Sequence, residues 1–501
     1  MIKLTKASLL GATLLLSPVA LANDEYQPKS SYEAPVSTDH QVKINGDKVR
    51  YRAIAGETLL KDTKEKDWAG IYSVSYLRTD VKNSENRPVT FVFNGGPGSA
   101  SVWLHLGIYG PKRVVVPGDA KDDGSAPFTL VDNEYSLLDV SDLVFIDPVG
   151  TGYSRPMGEY EGKDFWGVNE DAKVLAEFIR VWLNDNGRWN SPKYLAGESY
   201  GTARAAALVN QLQGGWTDIA VNGVMLISSI LDFSHARYQP GNHQPYIGFL
   251  PTMAATAFYH GKVSASDKAR GLEQFVEASR QFALNDYALA LLAGNRLSDA
   301  KYAEVRRELA RFTGLDEAYL DRVNLRVSGP RFSKQLLRDQ DMTVGRLDSR
   351  YKGVDYDSGG EYSDGDPSGY GIDAAYTAAI NHYLRSELGV TTSRRFNVLS
   401  GDVYRNWNWD MDRGQPKYVN VAPYLGKAQR ENKDFRIYIA NGYYDLATPF
   451  FATENTIADN GIDADRVEMH YYPSGHMMYV EPESLAKQAD DLRRFYQISE
   501  D

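Results

Sequence analysis

The sequence contains no cysteine, and this absence excludes several kinds of chemistry. None of the 501 residues is Cys, which rules out disulfide bonds, thiolate metal ligands and a cysteine nucleophile. Basic residues are also in deficit, with 55 Lys and Arg against 66 Asp and Glu and a net charge of -11. Because affinity for nucleic acid comes mostly from Lys and Arg that neutralise phosphates, we expect no nucleic-acid partner.

Long apolar runs are also scarce, and the run near the N-terminus is short. Lys3 and Lys6 precede an apolar stretch over residues 9–16, and Ala20-Leu21-Ala22 closes the segment with small residues. These are the three parts of a secretory signal peptide, and the stretch is too short to span a membrane comfortably. We therefore predict a signal peptide over residues 1–22, export to the periplasm or the medium, and no stable membrane span after cleavage.

The remainder of the chain has the pattern of an α/β protein. Alternating apolar residues around Asn45-Gly46 predict antiparallel strands within residues 41–80. Short apolar runs typical of strands buried on both faces of a parallel sheet follow; they lie at 89–93, 143–146, 194–196, 224–227 and 437–440. One helix between them carries a single apolar stripe at 3.6-residue spacing, formed by Val168, Ala172, Leu175, Ala176, Ile179, Trp182 and Leu183.

This order predicts a doubly wound, mostly parallel sheet interrupted by a mainly helical lid. The core is predicted over residues 23–231 and 434–501, beginning with a polar lead-in that runs to about residue 40. Residues 232–433 break the strand-helix rhythm and are predicted to be the inserted lid or cap. Helical patterns at 269–284 and 373–388 and a Gly- and Asp-rich loop at 355–373 lie within this insert.

A serine between a strand and a helix is the first chemical signal. Gly197-Glu198-Ser199-Tyr200-Gly201 directly follows the run at 194–196 and precedes a helix-compatible segment. The pattern G-x-S-x-G in this context is a nucleophile elbow, in which a sharp turn exposes the serine hydroxyl. An ordinary glycine-containing turn is the alternative, and the strand-helix context favours the elbow.

Three further segments at predicted strand ends complete a catalytic arrangement. Asn94-Gly95-Gly96-Pro97-Gly98 offers bare backbone N–H groups, suited to an oxyanion hole or a tight turn. Asp445 follows the run at 437–440, and His476 follows a short strand before the last helix. The order Ser199, Asp445, His476 is that of the α/β-hydrolase triad, in which the histidine accepts the serine proton and the aspartate orients the histidine.

Two other groups of residues leave their interpretation open. Asp357, Asp364 and Asp366 lack the ligand spacing of a calcium loop, so a solvated loop is the better interpretation. Trp407 and Trp409 could line a substrate pocket or pack the lid, and packing is the more frequent role of aromatic residues. We expect neither a metal nor a cofactor.

Taken together, the motifs resemble those of the serine carboxypeptidases. The resemblance rests on four motifs in family order, found at 94–100, 147–154, 197–201 and 475–477. It implies an exported α/β-hydrolase that removes single residues from peptide C-termini. It further implies backbone oxyanion donors at Gly96 and Tyr200, and a grip on the substrate carboxylate by Asn94 and Glu198.

The chain departs from the family at one position that bears on Glu198. Two carboxyl groups in contact must share a proton, and in the family this glutamate is paired with a second one before a Leu-Gly-Pro segment. Here that segment reads Ile108-Tyr109-Gly110-Pro111, so Ile108 replaces the expected acid. The resemblance therefore leaves Glu198 without its family partner.

Three functions follow from these observations. The first is a serine-type carboxypeptidase that cleaves the C-terminal bond of peptide substrates through an acyl-enzyme on Ser199. The second is an esterase or acyltransferase on the same triad, which the replacement at Ile108 would suit. The third is a non-catalytic binding protein, against which the intact Ser199, Asp445 and His476 argue.

Overall fold

The structure is a computed structural model that describes residues 34–121, 124–214, 218–411 and 418–497. The predicted signal peptide at 1–22 lies outside these residues. The predicted lead-in over 23–40 extends too far, because a strand already begins at Val36 and pairs with the next strand from there. Polar residues at the start of this strand alternate with partly buried ones, so its first half has no apolar run to reveal it.

Each of the five predicted apolar runs lies within a strand, and the structure contains further short strands that no run predicts. Their bounds are β1 Val36–Ile44, β2 Asp47–Lys61, β3 Asp67–Arg78, β4 Val89–Phe93, β5 Lys112–Val115, β6 Thr129–Asp132, β7 Asp142–Ile146, β8 Arg155–Pro156, β9 Lys193–Glu198, β10 Gly223–Ile227, β11 Met342–Val344, β12 Lys352–Val354, β13 Arg436–Gly442 and β14 Val467–Tyr472. Asn45 and Gly46, both with positive φ, form the tight turn between β1 and β2.

One central sheet places the ends of its parallel strands at a common edge. Within the described residues, ten strands join in the order β1-β2-β3-β7-β4-β9-β10-β13-β14, with β8 attached to β3. The pairs from β1 to β7 are antiparallel and those from β7 to β14 are parallel. The segments that follow β4, β9, β13 and β14 therefore leave the same edge, where an open α/β sheet presents its functional groups.

Helices connect and cover the strands. Their bounds are α1 Val102–Leu104, α2 Val168–Asp185, α3 Tyr200–Gly214, α4 Gln244–Tyr259, α5 Ala265–Ala269, α6 Leu272–Phe282, α7 Ala288–Ala293, α8 Asp299–Thr313, α9 Glu317–Arg322, α10 Gly329–Gln335, α11 Pro367–Tyr370, α12 Asp373–Ser386, α13 Gly401–Arg405, α14 Ala422–Glu431, α15 Phe450–Asp459 and α16 Pro482–Gln497.

Apolar side chains bury both faces of the sheet. Helices α2, α3 and α14 contribute to the core on one face, and α12 and α16 contribute to the core on the other. Every residue of the apolar stripe predicted in α2 is buried, so the periodicity located both the helix and its inner face. The mostly parallel sheet with helices on both faces confirms the predicted α/β class.

The segment between β10 and β13 is mainly helical. These two strands are neighbours in the sheet, from Gly223 opposite Arg436 onward, and the chain between them forms helices α4 to α14 with the short hairpin β11–β12. Helices α4, α6, α8 and α10 contribute to a third apolar core, which also contains Phe450 and Phe451 of α15. The domain boundaries 23–231, 232–433 and 434–501 stay a prediction. Across the described residues, no helix combines the length and apolar character needed to cross a membrane.

Candidate active site

Ser199 lies on a sharp turn between β9 and α3. Its φ of 60° is left-handed, a conformation that costs a residue with a Cβ roughly 1–3 kcal/mol and persists where the surroundings enforce it. Gly197 makes the turn possible, because a Cβ there would lie 2.1 Å from the carbonyl oxygen of Gly201. Glu198 and Tyr200 are buried while Ser199 is partly exposed. The turn thus presents the serine at the carboxyl end of the sheet.

His476 and Asp445 form a buried hydrogen-bonded pair on the loops after β14 and β13. The His476 Nδ1 to Asp445 Oδ2 distance is 2.7 Å. Burial alone would raise the pKa of Asp445, but the His476 charge and hydrogen bonds from His476 and Thr448 hold it below its usual range. An ionised Asp445 accepts a hydrogen bond from Nδ1–H and so leaves Nε2 available as a base.

Thr448 is a further partner of this pair that the sequence motifs do not reveal. Its hydroxyl donates to Asp445 Oδ2 at 2.5 Å, and the backbone N–H groups of Ala447 and Thr448 donate to Oδ1 at 2.8 and 2.9 Å. These bonds fix the carboxylate plane. A hydroxyl residue three positions after an aspartate was the signal available in the sequence, because such turns are common acceptor sites.

A single cavity of about 590 Å³ contains most of the predicted site residues. Its lining includes Asn94, Gly96, Glu198, Ser199 and His476. Asp445 lies behind His476, one hydrogen bond away. The structure therefore brings the motifs after β4, β9 and β14 to one space.

The glycine loop after β4 approaches the turn that holds the serine. A Cβ added to Gly95 would lie 2.5 Å from the backbone nitrogen of Tyr200 and 2.7 Å from that of Gly201. The Tyr200 ring points away and packs edge-on against Trp407 and Trp409, 5.2 and 5.8 Å between ring centroids. The two tryptophans thus pack against the start of α3. Packing is the more frequent role of aromatic residues.

Glu198 is buried at the cavity wall and held by two donors. Asn94 Nδ2 lies 2.8 Å from its Oε1, and the Tyr479 hydroxyl lies 2.6 Å from its Oε2. The N–H of Leu104 donates to Asn94 Oδ1 at 3.1 Å and so directs the Asn94 amide group at Glu198. Burial raises the pKa of Glu198 to about 7, against the opposing effects of the His476 charge and the two hydrogen bonds.

Tyr479 contacts Glu198, and the residue at position 108 does not supply a polar partner. Ile108 is fully buried in the apolar core, so it contributes no polar contact to the site. A Cβ on the preceding residue, Gly107, would lie 2.2 Å from the Tyr479 ring. The absence of a side chain at Gly107 admits the ring, and its hydroxyl reaches Glu198 from the segment just after His476.

A loop between β10 and β13 is hydrogen-bonded to the loops that carry His476 and Asp445. We refer to residues 346–350 as the 346–350 loop. The carbonyl oxygen of Leu347 accepts the His476 N–H at 2.7 Å, and that of Arg346 accepts the Leu446 N–H at 3.0 Å. Arg346 is exposed and lines the cavity. Burial lowers the pKa of His476, but the charge and hydrogen bond of Asp445 and the charge of Glu198 together raise it above its ordinary value, and the Arg346 charge opposes them weakly.

A buried ion pair anchors the 346–350 loop under the histidine. Asp348 and Arg350 are 2.6 Å apart and buried. Asp348 accepts the Gly475 N–H at 3.2 Å, and Arg350 donates to the Ser474 hydroxyl at 3.0 Å. Both members therefore contact the residues directly before His476.

Replacing Arg350 by leucine is expected to lower the free energy of unfolding by about 3–5 kcal/mol, because Asp348 would remain buried without its cation. Urea unfolding measures this change. The matched control is Arg405→Leu, which removes an exposed i,i+3 pair with Asp402 and should cost less than about 1 kcal/mol. Equal losses in the two variants would contradict an anchoring role for the buried pair.

Two aspartates of the acidic cluster accept hydrogen bonds from nearby backbone groups. Asp366 caps α11 by accepting the Ser368 N–H at 3.1 Å, and Asp357 accepts the Gly359 N–H at 2.9 Å. In the part of the chain that the structure describes, no group of three or more His, Asp or Glu side chains is arranged to hold a metal ion.

Comparison with known proteins identifies the family of this chain. The family model for serine carboxypeptidase matches residues 72–478. Among curated relatives, serine carboxypeptidase-like 29 of Arabidopsis thaliana is 27% identical over 213 residues, which is 41% of this chain and 41% of that protein. Serine carboxypeptidase-like 13 of the same plant is 30% identical over 33% of this chain and 37% of that protein. The chain thus spans about two fifths of the length of the curated relatives it matches.

A solved structure with the same fold covers nearly the whole chain. It is Kex1(delta)p, described as a prohormone-processing carboxypeptidase from Saccharomyces cerevisiae, with a TM-score of 0.56 and 16% identity over 89% of this chain and 91% of that one. A parallel sheet with a serine elbow and an Asp–His pair at strand ends defines an α/β-hydrolase. Within that class, the extent of the family match shows that this chain belongs to the serine carboxypeptidase family.

Proposed function

We propose that this protein is a serine-type carboxypeptidase that hydrolyses the C-terminal peptide bond of peptides through an acyl-enzyme on Ser199. The observation that carries the proposal is the buried Asn94–Glu198 pair, which lines the same cavity as Ser199 and His476. A neutral amide and a carboxyl group of raised pKa can together receive a free carboxylate, which an ionised acid would repel.

The proposed reaction uses only groups of this chain. One Asn94 N–H donates to Glu198, and the other is available to donate to the terminal carboxylate. That carboxylate also accepts a hydrogen bond from the O–H of protonated Glu198. His476 Nε2 takes the Ser199 proton as the hydroxyl attacks the scissile carbonyl carbon, and the backbone N–H groups of Gly96 and Tyr200 stabilise the oxyanion. His476 then protonates the leaving amine, and water releases the acyl group by the reverse proton transfers.

The titration of His476 and Glu198 should give a narrow pH optimum for the hydrolysis of substrates with a free carboxylate. His476 must be neutral to act as a base, so activity rises as pH passes its raised pKa. Glu198 must be protonated to receive the carboxylate, so activity falls as pH rises through about 7. Substrates that lack the carboxylate do not need the second condition and should keep their activity above that pH.

The experiment that tests the proposal compares a blocked dipeptide with its C-terminal amide from about pH 4 to 8. We expect release of the free C-terminal amino acid by the wild type and slow action on the amide, with Ser199→Ala as the control. Equal turnover of the acid and the amide would overturn carboxylate-directed specificity. Ester hydrolysis without peptide hydrolysis would favour the esterase or acyltransferase alternative, which the apolar Ile108 suits.

Replacing Glu198 by glutamine should abolish the fall of activity at alkaline pH, which we call the alkaline limb of the pH profile, for substrates with a free carboxylate. The glutamine keeps an acceptor for Asn94 and can donate to the Tyr479 oxygen, but it cannot ionise. We expect kcat/KM for the blocked dipeptide to stay level above about pH 7 in this variant, where that of the wild type falls.

The matched control for this experiment is Tyr479→Phe, which keeps the ring and removes one hydrogen bond to Glu198. Since that bond lowers the pKa of Glu198, its loss should move the alkaline limb to higher pH rather than abolish it. A wild-type profile in both variants would show that Glu198 has only a structural role.

We also propose that the protein acts outside the cytoplasm, as the predicted signal peptide at 1–22 implies. The intact mass of the protein recovered from the cell envelope measures this directly. A chain that begins after Ala22 supports export by cleavage, and a chain that retains the N-terminal segment argues against it.

A further inference from the structure

A second cavity adjoins the candidate active-site cavity. It has a volume of about 510 Å³, and it shares Trp103, Asp373 and Leu399 with the first cavity as common lining. Because these three residues line both spaces, a substrate group placed beside them can extend from one into the other. The proposed function assigns nothing to this second space.

The second cavity is rich in positive charge although the protein is acidic. Arg385, Arg394 and Arg395 line it, against a single lining carboxylate on Asp373. Arg394 is already engaged, because its Nη1 donates to Glu57 at 2.9 Å and to the carbonyl oxygen of Tyr153 at 3.0 Å. Arg385 and Arg395 are exposed and form no ion pair with any residue in the described ranges. Arg385 hydrogen-bonds the Tyr153 hydroxyl, but neither guanidinium group is paired with a carboxylate of the described residues, so both keep N–H donors for an anion.

The shared wall lies beside the group proposed to hold the substrate carboxylate. Trp103 directly precedes Leu104, whose N–H donates to Asn94 Oδ1 at 3.1 Å. The proposed reaction places the carboxylate of the leaving residue at Asn94. The side chain of that same residue is therefore the part of the substrate nearest the second cavity.

We propose that the second cavity binds an acidic side chain on the C-terminal residue of the substrate, through Arg385 and Arg395. This inference rests on the proposed carboxypeptidase function and deepens it by naming a substrate class. A guanidinium group binds a carboxylate through two parallel N–H donors. Glutamate suits the site better than aspartate, because its longer side chain reaches further past the shared wall.

The test is a set of blocked dipeptides that differ only in the C-terminal residue, which is glutamate, glutamine or leucine. We expect kcat/KM for the glutamate peptide to exceed that for the glutamine peptide by about tenfold, since hydrogen bonds to charged groups are stronger than those to neutral ones. Added salt should reduce this ratio, because partly exposed charges are screened.

Three variants test whether Arg385 and Arg395 cause the preference for a C-terminal glutamate. In Arg385→Gln and Arg395→Gln the glutamate-to-glutamine ratio should fall, and in the double variant it should approach one. Arg307→Gln is the matched control, because Arg307 is an exposed arginine of α8 that lines neither cavity, and it should keep the wild-type ratio. Turnover of the glutamine peptide shows that each variant is folded.

The outcomes separate this inference from the proposed function. Hydrolysis of the leucine peptide with a glutamate-to-glutamine ratio near one would overturn the acidic subsite and leave the carboxypeptidase intact. Failure to hydrolyse any peptide would overturn both. A preference for an acidic residue on the other side of the scissile bond, again dependent on Arg385 and Arg395, would overturn the assignment of this cavity to the leaving residue.

Discussion

Replacing Ser199 by alanine is expected to lower kcat for the blocked dipeptide by about a million-fold, because triad members act as a unit. His476→Ala should cost about as much, and the double variant little more than either alone, since the loss of one member already stops the proton transfer. Single-turnover assays on purified variants measure these rates. Rates close to those of the wild type in either single variant would refute the assignment of Ser199 and His476.

A companion variant separates the loss of chemistry from a loss of fold. Ser199 has a left-handed φ of 60°, which glycine adopts without strain. We therefore expect Ser199→Gly to be inactive and yet more stable than Ser199→Ala by about 1–2 kcal/mol. Urea unfolding of the two variants checks this. A glycine variant no more stable than the alanine variant would show that the turn stores no strain at the serine.

Replacing Gly95 by alanine is the second change with a large expected effect. The added Cβ would lie 2.5 Å from the backbone nitrogen of Tyr200, 2.7 Å from the carbonyl oxygen of Glu198 and 2.7 Å from the backbone nitrogen of Gly201. All three atoms belong to the backbone of the serine turn, so the glycine loop and the turn must separate. If Gly96 and Tyr200 form the oxyanion hole, we expect kcat to fall by at least about 100–1000-fold.

The measurement must distinguish a distorted site from an unfolded chain. An active-site serine probe counts the folded sites, and kcat is then expressed per labelled site. Gly359→Ala is the matched control, since Gly359 is exposed and its added Cβ would meet only a flexible Asp357 oxygen at 3.2 Å. It should behave as the wild type. Normal kcat per site in Gly95→Ala would argue against an oxyanion hole at this contact.

Much of the fold could be predicted because its signals are local. The apolar runs at 89–93 and 437–440 became the central strands β4 and β13, since a strand buried on both faces needs a continuous apolar sequence. The stripe in α2 located a buried helix face for the same reason. The start of β1 was missed because its residues are polar and become ordered only by pairing with β2.

The sequence by itself also predicted Ser199, Asp445 and His476 as a triad, because a nucleophile elbow is a local motif and the triad order follows the chain. Only the tertiary structure decided how those residues are held. Tyr479 meets Glu198 across 281 positions of the chain, and the 346–350 loop reaches His476 and Leu446 from within the inserted segment. The cavity that Arg385 and Arg395 line adjoins the cavity of Ser199 for the same reason. Such contacts depend on where the sheet and the insert bring distant segments together, and no periodicity or local motif specifies them.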